Sequence, residues 1–137
     1  AALGLSQMER IDEYVTRRNE IADRYTKALS GLPLRLPTVE SENVSAFHLY
    51  VIRLRLDEIA ATHRQVYDGL RERGIGANLH YLPVHLQPYY RDLGFGDGYC
   101  PEAEAYGNDA LTIPLFPLLT EEDQDRVIHA LEETVVG

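Results

Sequence analysis

The chain has 137 residues, 45% hydrophobic and 26% charged, which is typical of a globular protein with a single domain. Its net charge of −9 argues against nucleic-acid binding through a broad basic face. One cysteine, Cys100, excludes an internal disulfide, and no apolar run or opening signal indicates a membrane or secreted protein. We therefore expect a cytoplasmic protein with no membrane partner.

The start of the chain is unusual. It lacks an initiator Met, and residues 1–7 pass directly into helical periodicity without the polar lead-in that is common at natural N-termini. We interpret the chain as a piece of a longer protein. The alternative is a processed or engineered N-terminus on a complete small protein.

The first predicted element is a long helix. Its apolar face has alternating three- and four-residue spacing, with one charged member, in the series Met8, Ile11, Val15, Arg18, Ala22, Tyr25 and Leu29. Gly31 and Pro33 end the helix, and a polar connection over 33–45 follows. The apolar face is larger than a small sheet requires, which predicts that it packs against a missing domain or a second subunit.

A strand and a second helix follow. Residues 46–56 are dense in β-branched and aromatic side chains, which predicts the best strand of the chain. Asp57 is a candidate N-cap for a helix over 58–73, and Gly74 suits the left-handed position that ends such a helix. We expect a short strand over 77–81.

The last third of the chain alternates short elements. Its pattern predicts a helical turn over 88–93, a helix over 101–109, a brief strand over 111–115 and a last helix opened by Thr120. The whole order predicts an α+β fold with two layers, in which about three strands are covered by helices on one face.

The segment from 77 to 90 has an unusual mix of two histidines, three tyrosines and two prolines. Buried imidazole and phenol groups need hydrogen-bond partners, so ordinary core segments avoid this mix. We interpret the segment as a shaped surface that holds polar rings for a ligand. In an extended chain the rings of His80 and His85 can reach one cavity, and Tyr81 can stack on a ligand or donate to its oxygens.

Alternatives remain open for His80 and His85. One is a purely structural role, and another is a transition-metal site, although no Cys/His/Asp cluster with ligand spacing supports a metal. We interpret His48 as a hydrogen-bonded core residue, and His63 and His129 as surface residues of helices.

The chain lacks a convincing catalytic centre. Its only lysine, Lys27, lies in the first helix among polar neighbours, whereas Schiff-base chemistry needs a shielded amine. No Ser-His-Asp group, pair of catalytic carboxylates or Walker motif replaces it. Gly94, Gly96 and Gly98 do not match a phosphate-binding motif, and we interpret them as turn residues.

Several stretches together resemble the C-terminal part of the DegT/DnrJ/EryC1/StrS sugar aminotransferases. The most specific is HYLPVHLQPYY at 80–90, and the others lie at 1–7, 17–22, 47–53, 101–104 and 113–120. The resemblance covers essentially the whole chain and implies that residues 1–137 form the small C-terminal domain of a fold-type I transferase dependent on pyridoxal phosphate (PLP). It places the Schiff-base lysine and the cofactor-ring carboxylate upstream of Ala1. The chain alone then has no catalytic or cofactor-binding residue and is expected to be inactive.

For the longer protein, the resemblance implies a reaction. An amino group passes from glutamate, through PLP, to the C4 ketone of a UDP-linked 4-keto-6-deoxy-N-acetylhexosamine, as in the pseudaminic acid pathway. His80, Tyr81 and His85 map to the segment that meets the nucleotide sugar, and a homodimer is implied. Two alternatives stay open: a non-catalytic ligand-binding or regulatory module, and the small domain of a PLP-dependent sugar dehydratase of the same family.

Overall fold

The computed structural model describes residues 2–136, so the expectations for Ala1 lie outside the described residues. In chain order the elements are α1 (Ala2–Met8), α2 (Ile11–Leu29), β1 (Leu34–Arg35), β2 (Tyr50–Leu54), α3 (His63–Glu72), α4 (Pro88–Asp92), α5 (Pro101–Asp109), β3 (Ala110–Ile113) and α6 (Glu121–Val136). A 3₁₀ turn over Val84–Leu86 precedes α4.

The three strands form one antiparallel sheet in the order β1-β2-β3. Leu34 faces Leu54 across the first pair of strands, and Tyr50 faces Ile113 across the second. The predicted α+β fold with about three strands is therefore confirmed.

One of the predicted strands was assigned to the wrong place. The strand expected over 77–81 is reduced to a single antiparallel bridge between Asn78 and Thr112. The Asn78 side chain accepts the next amide, that of Leu79, at 2.9 Å, so the chain turns away from the ladder. The third strand is instead β1, which lies in the predicted polar connection. With two residues it is too short to show an alternation of apolar and polar side chains.

The central strand β2 is shorter than the predicted 46–56. Phe47 has a φ of 41°, in the left-handed region, and its amide donates to the Ser45 hydroxyl at 3.1 Å. This local turn cannot continue a strand, so the extended backbone begins only at Tyr50. His48 is consequently exposed and lies outside the strand, which contradicts its prediction as a hydrogen-bonded core residue.

The core lies between the sheet and the helices. Alternate residues of β2 are fully buried, and Ile21 and Leu29 of α2 belong to the same cluster as residues of α3 and α6. Two side-chain hydrogen bonds link elements within this core. The Tyr25 hydroxyl donates to the Pro114 carbonyl at 3.0 Å, and the Gln124 amide donates to the Ile21 carbonyl at 3.0 Å. Buried polar groups that are paired in this way lock α2 against β3 and α6.

Helix α3 begins later than predicted. Its N-cap is Thr62, not Asp57, because the Thr62 hydroxyl accepts the Gln65 amide while the Gln65 side chain accepts the Thr62 amide. This capping box satisfies two helix-end donors at once. The predicted end is confirmed, since Gly74 has a φ of 76° and the Ile75 amide donates to the Leu70 carbonyl at 2.9 Å.

The predicted first helix is two helices, with a break at Glu9 and Arg10. The Arg10 amide donates to the Gln7 carbonyl at 3.2 Å, which closes a turn between α1 and α2. Leu3 and Leu5 are 75% and 70% exposed, so α1 buries none of its residues against the rest of 2–136. Within the described residues, no helix has the length and apolar character needed to span a bilayer.

Candidate functional site

The His80–Tyr90 segment starts at the edge of the sheet. The bridge between Asn78 and Thr112 joins the chain to β3 just before the segment, and His80 Nδ1 lies 2.7 Å from the Thr112 hydroxyl. Thr112 is buried, so this contact fixes the imidazole ring from the protein side. The other ring nitrogen, Nε2, has no hydrogen-bond partner among residues 2–136.

Tyr81 stands next to His80 and is 73% exposed. The two rings meet edge to face with centroids 4.7 Å apart, and the peptide bond between the two residues is cis. The edge-to-face contact supports the phenol ring while its hydroxyl reaches solvent. A donor and acceptor pair of this kind suits the hydroxyl and carbonyl groups of a polar ligand.

His80 and Tyr81 line a small cavity of about 200 Å³, whose wall is completed by His63, Leu79, Leu82, Gly107 and Ala110. His63 Nε2 lies 3.0 Å from the Ala110 carbonyl, which holds the first turn of α3 against the start of β3. The interpretation of His63 as a surface residue was therefore wrong: it is half-buried and bonded. The Thr62/Gln65 capping pattern could have located it at the first position of a helix, but nothing local indicates the cavity.

Gly107 on α5 allows the segment to lie directly on the helix. A β-carbon at this position would be 3.0 Å from Pro83 Cδ and 3.7 Å from the Tyr81 carbonyl oxygen. The helix surface is therefore bare backbone where Tyr81 to Pro83 crosses it. The sequence did not point to Gly107, because Pro83, the residue that needs this close approach, lies 24 positions earlier in the chain.

His85 is buried, with 8% exposure, and its environment differs from that of His80. Its Nε2 donates to Glu104 Oε1 at 2.8 Å. The same carboxylate accepts the Gly98 amide at 2.9 Å on each oxygen and the Cys100 amide at 3.3 Å. The Gly98 amide and then the His85 imidazole lower the pKa of Glu104. Partial burial opposes them, and the Cys100 amide adds a smaller lowering effect.

The loop between α4 and α5 is held by aromatic contacts and turn glycines. The rings of Tyr90, Phe95 and Tyr99 follow one another edge to face, with centroids 6.1 and 4.8 Å apart, and the His85 ring is 6.2 Å from that of Tyr99. Gly94 and Gly98 have φ values of 94° and 85°, so the interpretation of these glycines as turn residues is confirmed.

An ion pair braces the same loop from outside. Arg91 of α4 donates to both carboxylate oxygens of Asp97, at 3.1 and 3.3 Å, and to the Leu86 carbonyl at 3.0 Å. The guanidinium lowers the pKa of Asp97. Both side chains are largely exposed, so this pair contributes less than the sheltered Glu104 contacts.

The predicted site residues fall into two groups. His80 and Tyr81 share the cavity between α3, α5 and β3, whereas His85 does not line it and is bonded to Glu104. The expectation that both imidazole rings reach one cavity is therefore wrong for this cavity, which His80 lines and His85 does not. His129 is a surface residue of α6, as predicted, and lies 3.2 Å from Glu133.

The described residues do not form a site for a metal or for PLP. No group of three or more His, Cys, Asp or Glu side chains within residues 2–136 is arranged to hold a metal ion. Lys27 is exposed in the last turn of α2, where no apolar wall shields its amine. The chemistry of a PLP-binding lysine therefore does not fit these residues.

The fold is that of the small α+β domain of PLP-dependent aminotransferases. A model of the DegT/DnrJ/EryC1/StrS aminotransferase family matches residues 1–132, and the chain belongs to this family. The spore coat polysaccharide biosynthesis protein SpsC of Bacillus subtilis (strain 168) is 37% identical over 140 residues, which cover 100% of this chain and 36% of SpsC.

Solved structures agree with this assignment. The PMP form of Spr1654 from Streptococcus pneumoniae, a proposed sugar aminotransferase, has a TM-score of 0.87 at 30% identity, covering 96% of this chain and 33% of that one. Helicobacter pylori PseC, an aminotransferase involved in the biosynthesis of pseudoaminic acid, has a TM-score of 0.88 at 25% identity, covering 98% of this chain and 36% of PseC.

The chain spans about a third of the length of these relatives. PLP is the cofactor of the family, and Spr1654 has been solved in PLP and PMP forms. The predicted family and its cofactor are therefore confirmed.

Proposed function

We propose that this chain is the small, substrate-side domain of a longer PLP-dependent aminotransferase that acts on a nucleotide-linked keto sugar. Glutamate supplies the amino group and leaves as 2-oxoglutarate, while the C4 ketone of a UDP-linked 4-keto-6-deoxy-N-acetylhexosamine becomes an amine. The longer protein works as a cytoplasmic homodimer. The coverage of only a third of each relative supports a second domain that holds the cofactor.

The observation on which the proposal rests is the cavity lined by His80 and Tyr81. One imidazole nitrogen there is bonded to Thr112, the other has no partner among residues 2–136, and the adjacent phenol is exposed. These groups can donate to or accept from the hydroxyl and keto oxygens of a sugar. The family membership and the likeness to PseC and SpsC support the class of substrate.

His80 and Tyr81 orient the sugar in this proposal, and His85 belongs to the same binding segment. Because the segment lies on Gly107 and on the buried Thr112, its polar atoms are held in place before the substrate arrives. None of these residues transfers a proton to the cofactor. Their contribution is binding and orientation at the sugar.

The test uses the longer protein that contains this chain, loaded with PLP. The protein is incubated with glutamate and the UDP-linked 4-keto sugar, and the amino sugar is measured by mass spectrometry. His80→Ala and Tyr81→Phe should each lower kcat/KM for the sugar by about 10- to 100-fold, while PLP affinity stays unchanged. We expect His85→Ala to lower sugar turnover with cofactor binding largely intact.

The matched control is His129→Ala, which removes an exposed imidazole from α6 and should leave the kinetics unchanged. Equal loss of PLP affinity in His80→Ala would assign the segment to the cofactor or to the fold. Conversion of the sugar without incorporation of nitrogen would support the dehydratase alternative, and absence of any turnover would support a ligand-binding module.

A further inference from the structure

A single carboxylate joins the two ends of the loop that follows the candidate site. The loop, residues 84–100, begins in the 3₁₀ turn that contains His85 and ends at Cys100, the residue before α5. Glu104 accepts from the His85 ring at the beginning, at 2.8 Å, and from the Gly98 and Cys100 amides at the end, at 2.9 and 3.3 Å. Its side chain is only 18% exposed.

No other contact in the described loop performs the same task. The pair between Arg91 and Asp97 lies within the loop and is exposed, with side chains that are 45% and 75% accessible. The His85 and Tyr99 rings, 6.2 Å apart, bring the two ends of the loop together, but no aromatic ring of the described loop bonds both ends to α5. Glu104 alone, among residues 2–136, bonds both ends from one position on a helix.

We propose that Glu104 is a positioning residue for the His80–Tyr90 segment, which it holds by clamping His85 and the Gly98–Cys100 turn onto α5. The proposal rests on the proposed function for the statement that this segment contacts the sugar. The clamp itself depends only on the contacts given above.

The chemistry of the acceptor explains why a carboxylate is needed. An ionised carboxylate is acceptor-only and offers both oxygens to N–H donors, and its bonds are stronger than those between neutral groups. A glutamine in the same place has one acceptor oxygen and directs an NH₂ group towards a donor. Three of the four contacts fall on Oε1, and only the second contact of the Gly98 amide falls on Oε2. A glutamine that keeps its oxygen at the Oε1 position therefore loses that second Gly98 contact, and its NH₂ group faces the Gly98 N–H donor.

The experiment compares Glu104→Gln with Glu102→Gln in the longer protein. Glu102 lies in the same first turn of α5, so its substitution removes the same charge without touching the loop. Hydrogen exchange, followed by mass spectrometry, should be about tenfold faster for peptides spanning 95–100 in Glu104→Gln and changed by less than about twofold in Glu102→Gln. Thermal unfolding by circular dichroism verifies that both variants are folded.

Two further readouts separate positioning from general stability. The ¹⁵N shifts of the His85 ring should report a single Nε2-protonated form in the parent protein and a mixture in Glu104→Gln. The KM for the sugar should rise by about tenfold in Glu104→Gln, with the KM for glutamate unchanged. Glu104→Ala, which removes every acceptor, should have larger effects in the same direction.

The outcomes distinguish the two proposals. Equal exchange rates in Glu104→Gln and Glu102→Gln, with an unchanged His85 ring, would overturn the clamp whatever the enzyme does. Faster exchange in Glu104→Gln together with a parent protein that aminates no sugar would support the clamp and reject the proposed function. Faster exchange with an unchanged KM for the sugar would overturn the assignment of Glu104 as a positioning residue for the substrate.

Discussion

Gly107 and Pro83 meet at a distance that leaves no room for a side chain on the helix: a β-carbon at 107 would lie 3.0 Å from Pro83 Cδ and 3.1 Å from Cγ. The proline ring therefore rests on the backbone of α5. The same cavity is lined by Gly107 and by His80 and Tyr81, which lie just before this proline in the chain. The shape of the candidate site thus depends on a glycine in the wall of the cavity.

We predict that Gly107→Ala destabilises the domain and weakens sugar binding. Alanine gains about 1 kcal/mol in helix propensity, but the clash with a rigid ring costs about 1–3 kcal/mol, so the net change is a small loss of stability. Thermal unfolding measures this balance. The control is Gly4→Ala in α1, where nothing lies within 4 Å of the new β-carbon and only the gain remains. If Gly107→Ala and Gly4→Ala stabilise the domain by the same amount, the proposed clash between residue 107 and Pro83 is wrong.

We predict that Thr62→Ala lowers the free energy of unfolding by about 1 kcal/mol, because it removes the hydroxyl that caps α3. Asp57→Ala is the matched comparison, since Asp57 is exposed in the loop before that helix. Its change should be within a few tenths of a kcal/mol. Urea unfolding of both variants shows which residue caps α3. A larger loss of unfolding free energy in Asp57→Ala would show that the helix begins near Asp57.

Tyr25 makes the domain sensitive to alkali. Burial raises the pKa of its phenol above the ordinary value of about 10. A raised pKa in the folded state means that stability is fully present below pH ~10 and is lost as the pH rises beyond it, because only the unfolded chain ionises readily there.

Substitution of this phenol tests the expected sign. Tyr25→Phe should cost about 1 kcal/mol at neutral pH, since the Pro114 carbonyl loses its donor. The same variant should lose less stability than the parent protein when the pH is raised above ~10. Urea unfolding at both pH values measures the two effects, and identical losses in both proteins at high pH would exclude Tyr25 as their source.

Glu104 should titrate below the ordinary glutamate pKa of about 4.3. The lowered pKa means that the clamp contributes stability above that ordinary value and loses it as the pH falls through the folded-state pKa. The groups that face it are the Gly98 and Cys100 amides and the His85 ring, and Asp97, paired with Arg91, interacts with that ring. ¹³C NMR of the Glu104 carboxyl measures the midpoint directly.

The His85→Ala variant measures how much of the lowered Glu104 pKa is due to the imidazole and how much to the loop amides. Because the Gly98 amide is the largest cause and the imidazole the second, the Glu104 pKa should rise only part of the way towards its ordinary value. A return to the full ordinary value in His85→Ala would contradict the contribution of the loop amides.

Local patterns predicted most of the helices well. The helix over 101–109 has the predicted bounds, and Thr120 caps the last helix through the Asp123 amide at 3.1 Å, as expected from its position. These features depend on residues within one turn of each other. The strands were predicted less well: β1 has only two residues, the strand expected over 77–81 is a single bridge, and the start of β2 is set by the left-handed Phe47. Two helix boundaries were also wrong, since the first helix is broken at residues 9 and 10 and α3 begins after Thr62.

The sequence by itself determined that residues 77–90 are unlike a core segment and that Gly74 ends a helix, because side-chain chemistry and backbone freedom are properties of the residues present. Only the tertiary structure decided that two histidines five positions apart have different partners. Thr112, which fixes His80, is 32 residues away, and Glu104, which fixes His85, is 19 residues away. Such contacts depend on how β3 and α5 pack, and a local pattern contains no record of that packing.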